Sequence, residues 1–72
     1  MQRLGEKLRR LREHQGYSLR QLATILKVKS YSHLAEIESG RSKPSVDLLV
    51  QLADLYEVTT DQLLRDELEI NT

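Results

Sequence analysis

Apolar residues recur along this chain at spacings of three and four rather than two, the period of helices with one buried face. Leu4, Leu8 and Leu11 stand at i, i+4 and i+7 and predict a first helix over about residues 2–14. Gly16 lies just past it, where a left-handed residue closes a helix. Ser18-Leu19-Arg20-Gln21 fits a capping box that opens a second helix of about two turns, with Leu19, Leu22, Ala23 and Leu26 as its stripe. Lys27-Val28-Lys29 is a short polar break around one apolar residue. A third helix is predicted from an N-cap at Ser30 to Ser39, with Gly40 as its stop. Leu34 and Ile37 point inward, which leaves Tyr31, Ser32, His33 and Glu36 on the other face.

Arg41-Ser42-Lys43-Pro44 reads as a basic loop. Ser45 can cap a fourth helix, about residues 46–56, with Leu49, Leu52, Ala53 and Tyr56 toward the core. Thr59-Thr60-Asp61-Gln62 is a second capping box and opens a fifth helix with Leu63 and Leu64 inward. The tail from Arg65 to Thr72 is acidic but keeps Leu68 and Ile70. Strand-like alternation is absent, so the fold class is all-α, with five short helices in one domain spanning residues 1–72.

Two helices of about two turns joined by a tight link form a helix-turn-helix unit. In such a unit the second helix buries one face and leaves the other bare. The bare face enters the major groove and reads base edges from its N-terminal half. Small and polar side chains suit it, because they allow close approach and offer donors and acceptors.

Charge sharpens this picture. The formal net charge is zero, which taken alone gives no reason to expect a polyanionic partner. Yet residues 1–44 hold ten Lys and Arg against four Asp and Glu, a net of +6, while residues 45–72 hold one against seven, a net of −6. A basic half can face a polyanion while an acidic half faces away. Length matters too. In 72 residues a single core supplies only about 3–5 kcal/mol. With no cysteine there is neither a disulfide nor a thiolate metal site to add to that. Self-association is the expected source of further stability.

Leu4-Gly5-Glu6-Lys7-Leu8 with Leu11-Arg12, then Leu22-Ala23, Ile37-Glu38-Ser39-Gly40, Lys43-Pro44-Ser45, Leu52-Ala53 and Thr60-Asp61-Gln62-Leu63-Leu64 follow one another in a specific order. In these the chain resembles the Cro/CI-type (lambda-repressor-like, XRE) helix-turn-helix family over about residues 4–64. The resemblance implies a compact five-helix DNA-binding domain whose second and third helices form the motif. It also implies a transcriptional regulator, most often a repressor, acting as a homodimer on an inverted-repeat operator in double-stranded DNA. Carried over residue by residue, it puts base reading on Tyr31, Ser32, His33 and Glu36. Backbone contacts fall on Arg20, Ser30, Ser39, Arg41 and Lys43. It further implies an Arg12–Glu38 ion pair between the first and third helices. Dimer contacts would come from the fifth helix and the tail, with Leu64, Leu68 and Ile70 as candidates; ordinary packing within one subunit is the other reading of those three.

Two positions depart from the family pattern. Ala23 and the third-helix glutamate stand one residue further apart than usual. Because Leu34 to Glu38 keeps the usual spacing, the extra residue belongs in the turn, within Val28-Lys29-Ser30. Were it in the helix start instead, Tyr31 and Ser32 would exchange roles or leave the groove. Leu19 occupies a place where the family often carries a phosphate-binding glutamine, and Arg20 is the substitute at hand.

Other classes find little support. There is no cysteine nucleophile and no glycine-rich phosphate loop, so no catalytic residue, cofactor or small-molecule ligand is expected. Neither His14 nor His33 has a second ligand at a metal-binding spacing; His14 suits the C-terminal end of the first helix, where a cation is favoured. No run of 18 apolar residues exists, and the first residues lack the apolar core of a secretion signal, so a cytoplasmic location with no membrane partner is expected. Packing on the second helix is the lesser reading of Tyr31, behind DNA contact. The functional alternative is an interaction module, such as an antitoxin whose acidic C-terminal part binds a partner protein.

Overall fold

The computed structural model describes residues 2–70. Its helices are α1 (Leu4–Gln15), α2 (Leu19–Leu26), α3 (Tyr31–Ser39), α4 (Val46–Tyr56) and α5 (Thr60–Leu64). No strand occurs among the described residues. Local chemistry sets nearly every boundary. The Ser18 hydroxyl accepts from the Gln21 N–H at 3.0 Å, and the Gln21 side chain accepts from the Ser18 N–H at 2.8 Å. Thr59 and Gln62 repeat that reciprocal box at α5, while Ser30 and Ser45 cap α3 and α4. Each box satisfies N–H groups that a helix start would otherwise leave unpaired. At the other ends, Gly16 and Gly40 take left-handed φ values of 79° and 85°. Lys27 and Glu57 do the same for α2 and α4, without glycine's freedom.

The predicted stripes meet in one core. Leu4, Leu8 and Leu11 of α1 pack with Leu22 and Ala23, with Leu34 and Ile37, with Leu49, Leu52, Ala53 and Tyr56, and with Leu63. α1 is the hub and touches α3, α4 and α5, while α2 packs on α3. Leu48 is also buried, which widens the inner face of α4 beyond the expected stripe; Leu19, Leu26 and Leu64 lie half-buried at the rim.

α1 differs from expectation at both ends, beginning at Leu4 and running to Gln15. No side chain within α1 or just before it caps its start. The cap comes from the far end of the chain: the Asp66 carboxylate accepts from the N–H groups of Gln2 and Arg3, each at 3.0 Å. The tail therefore folds back onto α1. Ile70, only 4% exposed, joins the core.

Candidate nucleic-acid interface

α3 is built to be held from behind and open in front. Leu34 and Ile37 are each 2% exposed, and Tyr31, Ser32, His33 and Glu36 all lie on the exposed side. The α2–α3 link, residues 27–30, lies outside both helices. α2 ends at Leu26 with Lys27 as its left-handed cap, the Val28 N–H closes onto the Ala23 carbonyl at 3.0 Å, and Ser30 caps the start of α3 through its hydroxyl. Tyr31 is thus the first residue of α3 and Ser32 the second.

Two contacts orient this helix against α1. Arg12 grips Glu38 in a fork, Nε to Oε2 at 2.8 Å and Nη2 to Oε1 at 3.0 Å, and its Nη1 donates to the Tyr17 carbonyl at 2.8 Å. Both side chains are largely withdrawn from solvent. The hydrogen-bonded Glu38 carboxylate raises the Arg12 pKa above its ordinary value. Planar two-point pairing fixes direction as well as distance. The second contact is Gly5, where the backbones of α1 and α3 nearly touch. A Cβ there would collide with the Glu38 carbonyl oxygen and come within 2.6 Å of the Ile37 oxygen.

Around the open face, Arg20 stands on the first turn of α2, and Arg41 and Lys43 on the loop after α3, all exposed. That loop is closed by Arg41 and Ser42 N–H groups donating to the Glu36 carbonyl at 2.9 and 3.3 Å. Ser39 turns its hydroxyl proton to the same carbonyl at 3.0 Å. On α3 itself, His33 Nδ1 lies 3.8 Å from Glu36 Oε1, one helical turn apart. Arg20 lies over the Tyr31 ring, with its guanidinium carbon 5.1 Å from the ring centre.

The basic half of the sequence is not wholly available to a polyanion. Lys7 is 0% exposed, and its ammonium donates to the carbonyls of Gln62, Arg65 and Leu68 at 2.7, 2.7 and 2.6 Å. Arg3 reaches Glu69 at 3.1 Å and the Asp66 carbonyl at 3.0 Å. Arg12 is engaged with Glu38. The remaining cations of residues 1–44, namely Arg9, Arg10, Arg20, Lys27, Lys29, Arg41 and Lys43, are exposed. Sequence reasoning missed Lys7 even though a signal was present: it falls at i+3 from Leu4, inside the buried stripe of α1. At the opposite end, Leu64 and Leu68 are half-buried, whereas Ile70 belongs to the chain's core. No helix among the described residues is long and apolar enough to cross a membrane.

Comparison with known proteins agrees with this geometry. A family model described as a helix-turn-helix domain matches residues 3–68. The chain is 37% identical over 62 residues to the HTH-type transcriptional regulator DdrOP3 of Deinococcus deserti, covering 86% of this chain and 47% of that protein. It is 36% identical over 67 residues to AnsR of Bacillus subtilis, covering 93% and 57%. With ImmR of the same organism the identity is 35% over 65 residues, covering 89% and 50%. Both Bacillus proteins are likewise HTH-type transcriptional regulators. The chain spans about half the length of these curated relatives. With five helices among the described residues in this arrangement and a match over nearly its whole length, the chain belongs to the helix-turn-helix domain family.

Proposed function

We propose that this domain binds double-stranded DNA in a sequence-specific way and serves as a transcriptional regulator. One observation carries the reading: α3 is anchored by Leu34, Ile37 and Glu38, and its opposite face exposes only short or polar groups and one aromatic ring. In the major groove, Tyr31, Ser32, His33 and Glu36 read base edges. Glu36, an acceptor, suits a cytosine amino group. It also repels phosphates, so it favours selectivity over raw affinity. Arg20, Ser30, Ser39, Arg41 and Lys43 hold the backbone on either side. Such contacts set register and orientation but carry no sequence information themselves.

The regulator is a cytoplasmic repressor that works as a homodimer on an inverted repeat. One α3 offers few base contacts, and a two-fold pair doubles them at half-sites about one helical turn apart, ~34 Å. The family resemblance supports the sign of regulation. Leu64 and Leu68, both partly exposed, are the apolar positions offered to the second copy, while Ile70 is taken up by the core.

Selection of bound sequences from a random duplex pool tests this reading. Recovery of an inverted repeat with half-sites about ten base pairs apart is the expected result. A folded protein that enriches no sequence would overturn it and point to a protein partner instead.

A further inference from the structure

The Arg20–Tyr31 contact joins a group assigned to the DNA backbone with one assigned to the bases. Arg20 belongs to the first turn of α2, and Tyr31 is the first residue of α3. The two meet across the link, with the guanidinium carbon 5.1 Å from the ring centre. That lies inside the range where a cation is attracted to the ring face. Both residues are exposed, Tyr31 at 40%, so neither is held by the core. No carboxylate pairs with Arg20 among the ion pairs of the described residues.

We propose that Tyr31 is a positioning residue: its ring is the platform that holds the Arg20 guanidinium ready for a DNA phosphate. This rests on the DNA-binding reading above and deepens it. A free arginine on a helix surface samples many rotamers and loses that freedom when it binds. A ring face restricts the rotamers in advance while leaving the guanidinium edge, and its N–H donors, open to an anion. Arginine suits this better than lysine because its planar cation both stacks and donates in a fork. The part of Tyr31's contribution that passes through Arg20 ends at a phosphate, so it is independent of sequence and adds to whatever base contact the exposed side of the ring makes.

The test is a double-mutant cycle on Arg20→Ala and Tyr31→Ala. Affinity is measured for the selected operator duplex and for a random-sequence duplex of equal length. Tyr31→Ala should weaken binding to the random duplex about two- to fivefold, and to the operator by at least that factor. In the Arg20→Ala background the same change should have almost no effect on the random duplex. Tyr31→Phe, which keeps the ring, should retain the coupling to Arg20. In the free protein, ring-current shifts on the Arg20 side-chain protons should be present and should vanish in Tyr31→Ala. Losses that add, or a Tyr31→Ala effect confined to the operator, would overturn the platform role while leaving the DNA reading intact. Shifted Arg20 protons in a folded protein that binds neither duplex would instead overturn the DNA reading, and the proposal with it.

Discussion

Lys7 donates a 2.6 Å hydrogen bond to the carbonyl oxygen of Leu68, 61 positions away in the chain. The same ammonium also holds the carbonyls of Gln62 and Arg65. It therefore caps the end of α5 and pins the tail with a buried cation. Carbonyls at a helix end carry partial negative charge, which makes a cation a fitting cap. Lys7→Met keeps the apolar stem but leaves three acceptors unpaired, and should cost about 2–4 kcal/mol in urea denaturation. Amide exchange over residues 66–70 should speed up in the variant. An unchanged denaturation midpoint would show that the ammonium contributes nothing.

Removing one partner of the Arg12–Glu38 fork leaves the other charge buried alone. Arg12→Ala and Glu38→Ala should each destabilise the fold by about 3–5 kcal/mol. Replacing both by apolar residues, as in Arg12→Met with Glu38→Leu, should restore most of that loss. Simple additivity of the single effects would rule out the coupling. The paired apolar variant should still discriminate poorly between operator and random DNA, because packing alone does not fix the direction of α3.

Gly5→Ala places a methyl group against the carbonyls of Ile37 and Glu38. Neither oxygen can retreat without moving α3. Overpacking of this kind costs about 1–3 kcal/mol, although alanine has the better intrinsic helix propensity. Thermal unfolding decides the sign, and a stabilised Gly5→Ala variant would mean that the two backbones stand further apart than described.

The tail clasp makes stability depend on acid. Backbone N–H groups of Arg3 and Gln2 hold the Asp66 carboxyl below its usual range, and the hydrogen-bonded Arg3 side chain does the same for Glu69. For a carboxyl depressed in the native state, the stability it contributes is fully present above the unfolded-state pKa. It is lost as the pH falls through the native value. Stability should therefore be flat near neutrality and decline through the acid range. Asp66→Asn should be less stable at neutral pH and show a shallower acid decline; parallel curves for the two proteins would refute the clasp.

On DNA, cations and the reading face should separate cleanly. Arg41→Ala or Lys43→Ala should weaken binding to every sequence alike and reduce the salt slope by about 0.9 each. Glu36→Ala should change preference at one base pair, with about 1–3 kcal/mol of discrimination lost. If all three variants act alike on every duplex, α3 is not the reading helix.

The helices, their caps and the inner residues of α3 were legible in the sequence because each depends on neighbours three or four positions away. Ser18 with Gln21, Thr59 with Gln62, and Leu34 with Ile37 are contacts a single helical turn creates, whatever surrounds it. The placement of Tyr31 at the head of α3 followed equally from its cap at Ser30. Three things only the folded chain decides. Lys7 looked like one more surface cation until the tail brought three carbonyls around it. The start of α1 carries no local cap, so its position at Leu4 waits on Asp66. Ile70 could have faced a second copy, and its burial depends on the same fold-back. Each of these contacts joins residues more than fifty positions apart, and no local period encodes them. They arise because buried polar groups must find partners wherever packing brings them within reach.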